Sequence, residues 1–112
     1  MGSSYLDWKE GLARLDGDEA LYRRQLGQFM LEQREAAVQV AGALRKHEDE
    51  TARHLVHELR GQAVQLGARP LASAAFELEM AIRAGAETAA VMGRFDRMLT
   101  DTLLAMASYR SF

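Results

Sequence analysis

The chain has 112 residues, one proline and no cysteine, and its 14 basic and 16 acidic residues leave a formal charge of −2. That length fits one domain, the balance of charge argues against nucleic acid or direct contact with an anionic membrane, and the missing cysteines exclude disulfides, thiolate metal sites and cysteine catalysis. Hydrophobic residues make up 48% of the sequence, enough for a core at this size, and no apolar run approaches the roughly 18 residues that span a bilayer.

Met1-Gly2-Ser3-Ser4 reads as a remnant added for expression, which leaves residues 5–112 as the domain. Ala, Leu, Glu, Arg, Gln and Met dominate, all good helix formers, and no stretch alternates with period two in β-branched residues. A short first helix is expected over about residues 5–15, with Leu6, Leu12 and Leu15 as its apolar members and Tyr5 and Trp8 covering a bundle end. Asp16-Gly17-Asp18 breaks it, and Asp18 suits the N-cap of the next. The second helix is long, about 19–46, with a stripe of Leu21, Leu26, Phe29, Met30, Ala36, Ala37, Val40 and Leu44. Lys46-His47-Glu48-Asp49 turns the chain. The third helix runs over about 50–67 and stops near Gly67. Pro70 fits the first turn of the fourth, about 70–84, where its missing N–H costs nothing, and Gly85 closes it. The fifth covers about 87–108, with Val91, Phe95, Met98, Leu99, Thr102, Leu103 and Met106 on one face. The fold expected is all-α: an antiparallel up-and-down four-helix bundle, with the short N-terminal helix capping one end.

The third helix carries the chemistry. At about 100° per residue, Ala52, Leu55, Leu59, Ala63 and Leu66 share a core-facing side. His57 falls nearly opposite, with Arg60 and His54 flanking it and Gly61 and Val64 one and two turns on. Singly, an exposed histidine, arginine or valine is ordinary surface. A glycine inside a helix and away from the core costs about 1 kcal/mol relative to alanine with no close approach to explain it. Together these residues share a use. A neutral imidazole is a nucleophile near neutral pH, a phosphoryl group on it carries about two negative charges, and Arg60 can hydrogen-bond those oxygens. The missing side chain at Gly61 opens room for a partner's active site, and Val64 offers that partner an apolar contact.

Other chemistry has weaker support. His54 and His57 are three apart with Glu50 upstream, but His-Glu-x-x-His and the Glu-x-x-His of di-iron bundles are both absent, so no metal site is expected. His47 reads as surface in a polar turn. No glycine-rich phosphate loop or nucleophile elbow occurs.

The run His57-Glu58-Leu59-Arg60-Gly61-Gln62-Ala63-Val64-Gln65-Leu66-Gly67-Ala68 resembles the signature of histidine-containing phosphotransfer (HPt) domains. There a histidine is followed by a basic residue at +3, glycine at +4 and Leu-Gly-Ala soon after. Leu71, Ala74, Leu78-Glu79, Ala81 and Gly85 are similar to the family's next helix. Gly11-Leu12-Ala13-Arg14-Leu15-Asp16-Gly17-Asp18-Glu19-Ala20-Leu21-Tyr22 is similar to the entry of HPt domains at the ends of hybrid sensor kinases. The family usually has lysine where Arg60 stands, which keeps the charge and changes the geometry.

The resemblance implies a phosphorelay intermediate, not an independent enzyme. His57 takes a phosphoryl group at Nε2 from a receiver-domain aspartate and passes it to a second receiver. Arg60 steadies the phosphate, while Gly61, Val64, Arg53 and His54 form the access and docking face. Glu79, whose ordinary reading is a solvated helix acid, orients the histidine. No cofactor is expected in this chain, because the response-regulator receivers supply Mg²⁺. An isolated monomer is expected, in the cytoplasm or at the cytoplasmic end of a membrane-bound sensor kinase. The rival readings are an HPt-like module that docks a receiver or other partner without phosphotransfer, and a plain structural bundle, which leaves Gly61 beside His57 unexplained.

Overall fold

A computed structural model describes residues 4–111, all of whose regular elements are helical. Of the four residues read as an added remnant, Met1 to Ser3 lie outside the described residues. Helix α1 spans Trp8–Ala13, α2 Glu19–Gln33, α3 Ala36–Arg45, α4 Asp49–Leu66, α5 Arg69–Arg83 and α6 Ala89–Arg110. Asp7 and Asp18 cap α1 and α2, their carboxylates accepting from the amides of Glu10 and Leu21 at 3.1 and 3.0 Å. Pro70 sits in the first turn of α5, and Gly85 follows that helix at φ +65°.

Two expected helix boundaries are corrected. The first helix is shorter than 5–15, and Leu6 is buried just ahead of it. The long helix expected over 19–46 is two, because Glu35 departs to φ −102°, ψ 13° and interrupts the hydrogen-bond ladder. Phe29 and Ala36, buried on either side of the break, are two turns apart, so the stripe keeps its phase. Periodicity cannot detect an interruption that preserves phase.

The α2–α3 pair, α4, α5 and α6 form the four columns of an antiparallel bundle measuring 41 × 21 × 21 Å. Helix α4 lies between α3 and α5 and also meets α2. Those extra neighbours widen its buried arc: Val56 is fully buried, whereas Leu55, expected at the core, only packs against its margin. Tyr22, Leu26, Val40, Leu59, Leu71, Leu78, Phe95 and Met106 fill the interior.

The short α1 closes one end. The Asp7 amide donates to the Gly67 carbonyl at 2.8 Å. Gly67 ends α4 at φ +84°, a left-handed conformation in which its missing Cβ also clears the Asp7 carbonyl. The Trp8 ring packs 5.7 Å from Tyr109, as expected of a residue covering the bundle end. The Tyr22 hydroxyl donates to the Leu66 carbonyl at 2.7 Å, tying α2 to the same corner. No helix among the described residues is long and apolar enough to cross a membrane.

Candidate functional site

His57 is the midpoint of α4, and 55% of its side chain is exposed. Beneath it, from α5, comes Glu79, with 3% of its side chain exposed. The His57 Nδ1 lies 3.0 Å from one Glu79 oxygen and 3.3 Å from the other. A carboxylate only accepts, so Nδ1 carries the proton and donates. The lone pair is then on Nε2, at the opposite edge of a half-exposed ring. Read by itself, an acid at this position is a solvated helix residue, and only the family resemblance pointed to Glu79 as the residue that orients His57. Its burial arises because α5 packs along α4 and turns Glu79 into the seam between them.

A buried carboxylate needs compensating charge, and α4 supplies two guanidinium groups. Arg60 brings its Nε to 3.3 Å from Glu79 Oε1. Its Nη2 lies 3.3 Å from His57 Nδ1. With the Nδ1 proton committed to Glu79, that approach sets two donors against each other and is no hydrogen bond. Arg60 Nε is itself buried without a hydrogen bond of acceptable geometry, and the guanidinium stands 5.2 Å over the Phe76 ring. Arg60 is therefore held by charge and by the ring face rather than by directed bonds. Arg53, one turn before His57, reaches Glu79 Oε2 with Nη1 at 3.7 Å, an ion pair beyond hydrogen-bond range. Its Nε bonds Glu50 at the surface.

The other residues singled out from sequence fall around this centre. A Cβ built on Gly61 would meet open space, so no helix contact requires glycine there. Val64 is exposed two turns beyond His57. His54 points away, 71% exposed and 3.5 Å from Glu58, and does not join the Glu79 cluster. Among the described residues no group of three or more His, Cys, Asp or Glu side chains could hold a metal ion.

The sequence reading missed Phe76 and Met80, large apolar side chains exposed one turn apart on α5. Phe76 and Val64 help line an open groove of about 580 Å³ that starts at Arg60 and continues past Arg14, Arg69 and Ser73. A helical wheel of α5 carries the signal, since Phe76 lies off the stripe of Leu71, Ala75, Leu78 and Ile82 that faces the core.

His57 thus presents a half-exposed imidazole, held in one tautomer by Glu79, at the middle of a bundle helix. The Hpt domain family model matches residues 24–105, a span that includes His57, Arg60, Gly61 and Glu79, and this chain belongs to the Hpt domain family. Hpt domains are phosphocarrier modules of two-component signalling and interact with the receiver domains of response regulators. Among solved structures, histidine-containing phosphotransfer protein B (HptB) from Pseudomonas aeruginosa PAO1 matches with a TM-score of 0.86. The match covers 98% of this chain and 97% of that one at 23% identity, a likeness of fold. No curated protein matches the sequence.

Proposed function

We propose that His57 is the phosphoryl acceptor and that the chain relays the group from one receiver aspartate to another. The observation that carries this is the His57–Glu79 pair, which holds the proton on Nδ1 and leaves Nε2 free at the surface. Nε2 attacks the phosphorus of an aspartyl phosphate in line. The N–P bond forms as the acyl phosphate P–O bond breaks, and the aspartate leaves as a carboxylate. The ring becomes cationic as it bonds phosphorus, and the carboxylate under Nδ1–H stabilises that charge. A second receiver's aspartate reverses these steps. The receivers bring Mg²⁺ and most of the catalytic machinery; this chain contributes the nucleophile, its orientation and a docking face containing Gly61, Val64 and Phe76.

The test is incubation with a panel of phosphorylated receivers, followed by intact-mass measurement. Wild type should gain one acid-labile phosphoryl group, and His57→Gln should gain none while melting close to wild type, because the residue lies outside the apolar core and the glutamine amide can still donate to Glu79. Binding of receivers without any transfer would leave the docking-module reading in its place. Transfer to His57→Gln would move the acceptor elsewhere, with His54 next in line.

A further inference from the structure

Two arginines attend one buried carboxylate, and they do so unequally. Arg60 is the nearer, 3.3 Å from Glu79 Oε1, yet its buried Nε makes no hydrogen bond and its Nη2 faces the proton on His57 Nδ1. Arg53 is farther, at 3.7 Å from Oε2, and anchored on the outside by Glu50. The two stand four residues before His57 and three after it, so one face of α4 carries cation, nucleophile, cation above a single anion.

We infer that Arg53 is the standing counter-ion of Glu79, a positioning residue that frees Arg60 to follow the phosphoryl group. This deepens the proposal that His57 is the acceptor and rests on it. Before transfer, Glu79 is attended by both guanidinium groups. After transfer, a group with close to two negative charges sits on Nε2, and Arg60, one helical turn away, is within side-chain reach of it. Arg60 loses no directed bond in leaving Glu79. Were it the sole partner, its departure would strand a buried carboxylate, a costly state. Arg53 prevents that: closing from 3.7 Å to the usual hydrogen-bond distance of about 3.0 Å needs a shift of about 0.7 Å. The Nδ1–H···carboxylate bond therefore survives phosphorylation with its charge still balanced, and the ring keeps its tautomer for the second transfer.

The role predicts a dependence that neither docking nor direct phosphate contact would produce: Arg53 matters only while residue 79 is charged. The test uses phosphoramidate as donor, which requires no docking. Nε2 bonds its phosphorus as the P–N bond breaks, and the nitrogen takes a proton from water and leaves as ammonia. The steady-state yield of phosphohistidine is read by intact mass in the whole chain. Arg53→Gln should lower the yield about three- to tenfold, less than the loss of a charge-assisted hydrogen bond because the resting ion pair is longer, and Arg53→Lys should restore most of it. In a Glu79→Gln background, where the amide oxygen can still accept from Nδ1–H, adding Arg53→Gln should change nothing further. Arg53→Met, which keeps the aliphatic stem, is the second variant should Arg53→Gln melt early. A wild-type yield in both Arg53→Gln and Arg53→Met, or an equal loss with Gln at position 79, would overturn the inference. Failure of wild type to accept phosphate, or acceptance by His57→Gln, would instead overturn the acceptor assignment beneath it, since neither involves Arg53.

Discussion

Nδ1 of His57 is the atom on which the site turns, because whichever nitrogen holds the proton leaves the other as nucleophile. Glu79 makes that choice from beneath, at 3.0 Å. Nitrogen-15 chemical shifts of the ring should therefore report a single Nδ1–H tautomer in wild type and in Glu79→Gln, and a mixture in Glu79→Ala. A mixture in wild type would mean that the carboxylate does not govern the ring. Arg60 acts on the same centre from the side. Arg60→Ala should lower the phosphohistidine yield about five- to thirtyfold, as expected for losing a charge-assisted contact to an exposed anion. Arg60→Lys should retain most of it, because the charge stays at nearly the same reach. Measurement at low and high salt separates the screened part of the effect. An Arg60→Ala protein that matches wild type at low salt would make Arg60 a partner of Glu79 and Phe76 alone.

Helix α4 serves as a rigid rail that presents the imidazole at its midpoint while α3 and α5 hold its flanks. Its two notable glycines do opposite things. A Cβ at Gly61 would meet nothing, so Gly61→Ala should stabilise the helix by up to about 1 kcal/mol. Gly61→Glu should fold normally but impair transfer, by bulk against the receiver and by repulsion of the phosphoryl group. Gly67 has both a positive φ and the Asp7 carbonyl where a Cβ would go. Gly67→Ala should therefore cost about 2–4 kcal/mol through backbone strain and overpacking, loosening α1 from the end of α4. Thermal melts of the three variants order them directly.

Across the whole molecule, the bundle end away from His57 is locked by Tyr22, whose hydroxyl reaches from α2 to the Leu66 carbonyl. Burial, and then the charges of Tyr109 and Asp7, push its phenol well above the ordinary tyrosine range. In the unfolded chain the same phenol ionises near 10. Its contribution to stability is thus complete below that pH and declines as pH rises beyond it, because the unfolded chain releases its proton first. Tyr22→Phe should cost about 1–2 kcal/mol at neutral pH by leaving the Leu66 carbonyl unpaired. It should also flatten the fall in melting temperature between about pH 9 and pH 11. An unchanged alkaline slope would show that other groups control it.

The helical class, the Asp18 cap, the Gly67 stop and the exposure of His57 beside Gly61 were legible in the chain. Each depends on residues within a few positions of one another, and short-range periodicity and capping chemistry encode them directly. What needed the tertiary structure involves partners distant in sequence or a change of neighbours. The break at Arg34–Glu35 left no trace in a stripe that kept its phase. Val56 is buried because α4 meets several helices, so its core arc is wider than a single stripe. Glu79 is 22 positions from His57, and nothing local distinguishes it from a solvated acid. Only the docking of α5 on α4 desolvated its carboxylate, placed it under Nδ1 and drew Arg53 and Arg60 to it. The sequence by itself singled out His57 as the candidate nucleophile, and Nε2 as its reacting atom only through the family resemblance. The fold supplied the physical reason one nitrogen is free, because a proton's position is set by the nearest acceptor in space, not in the chain.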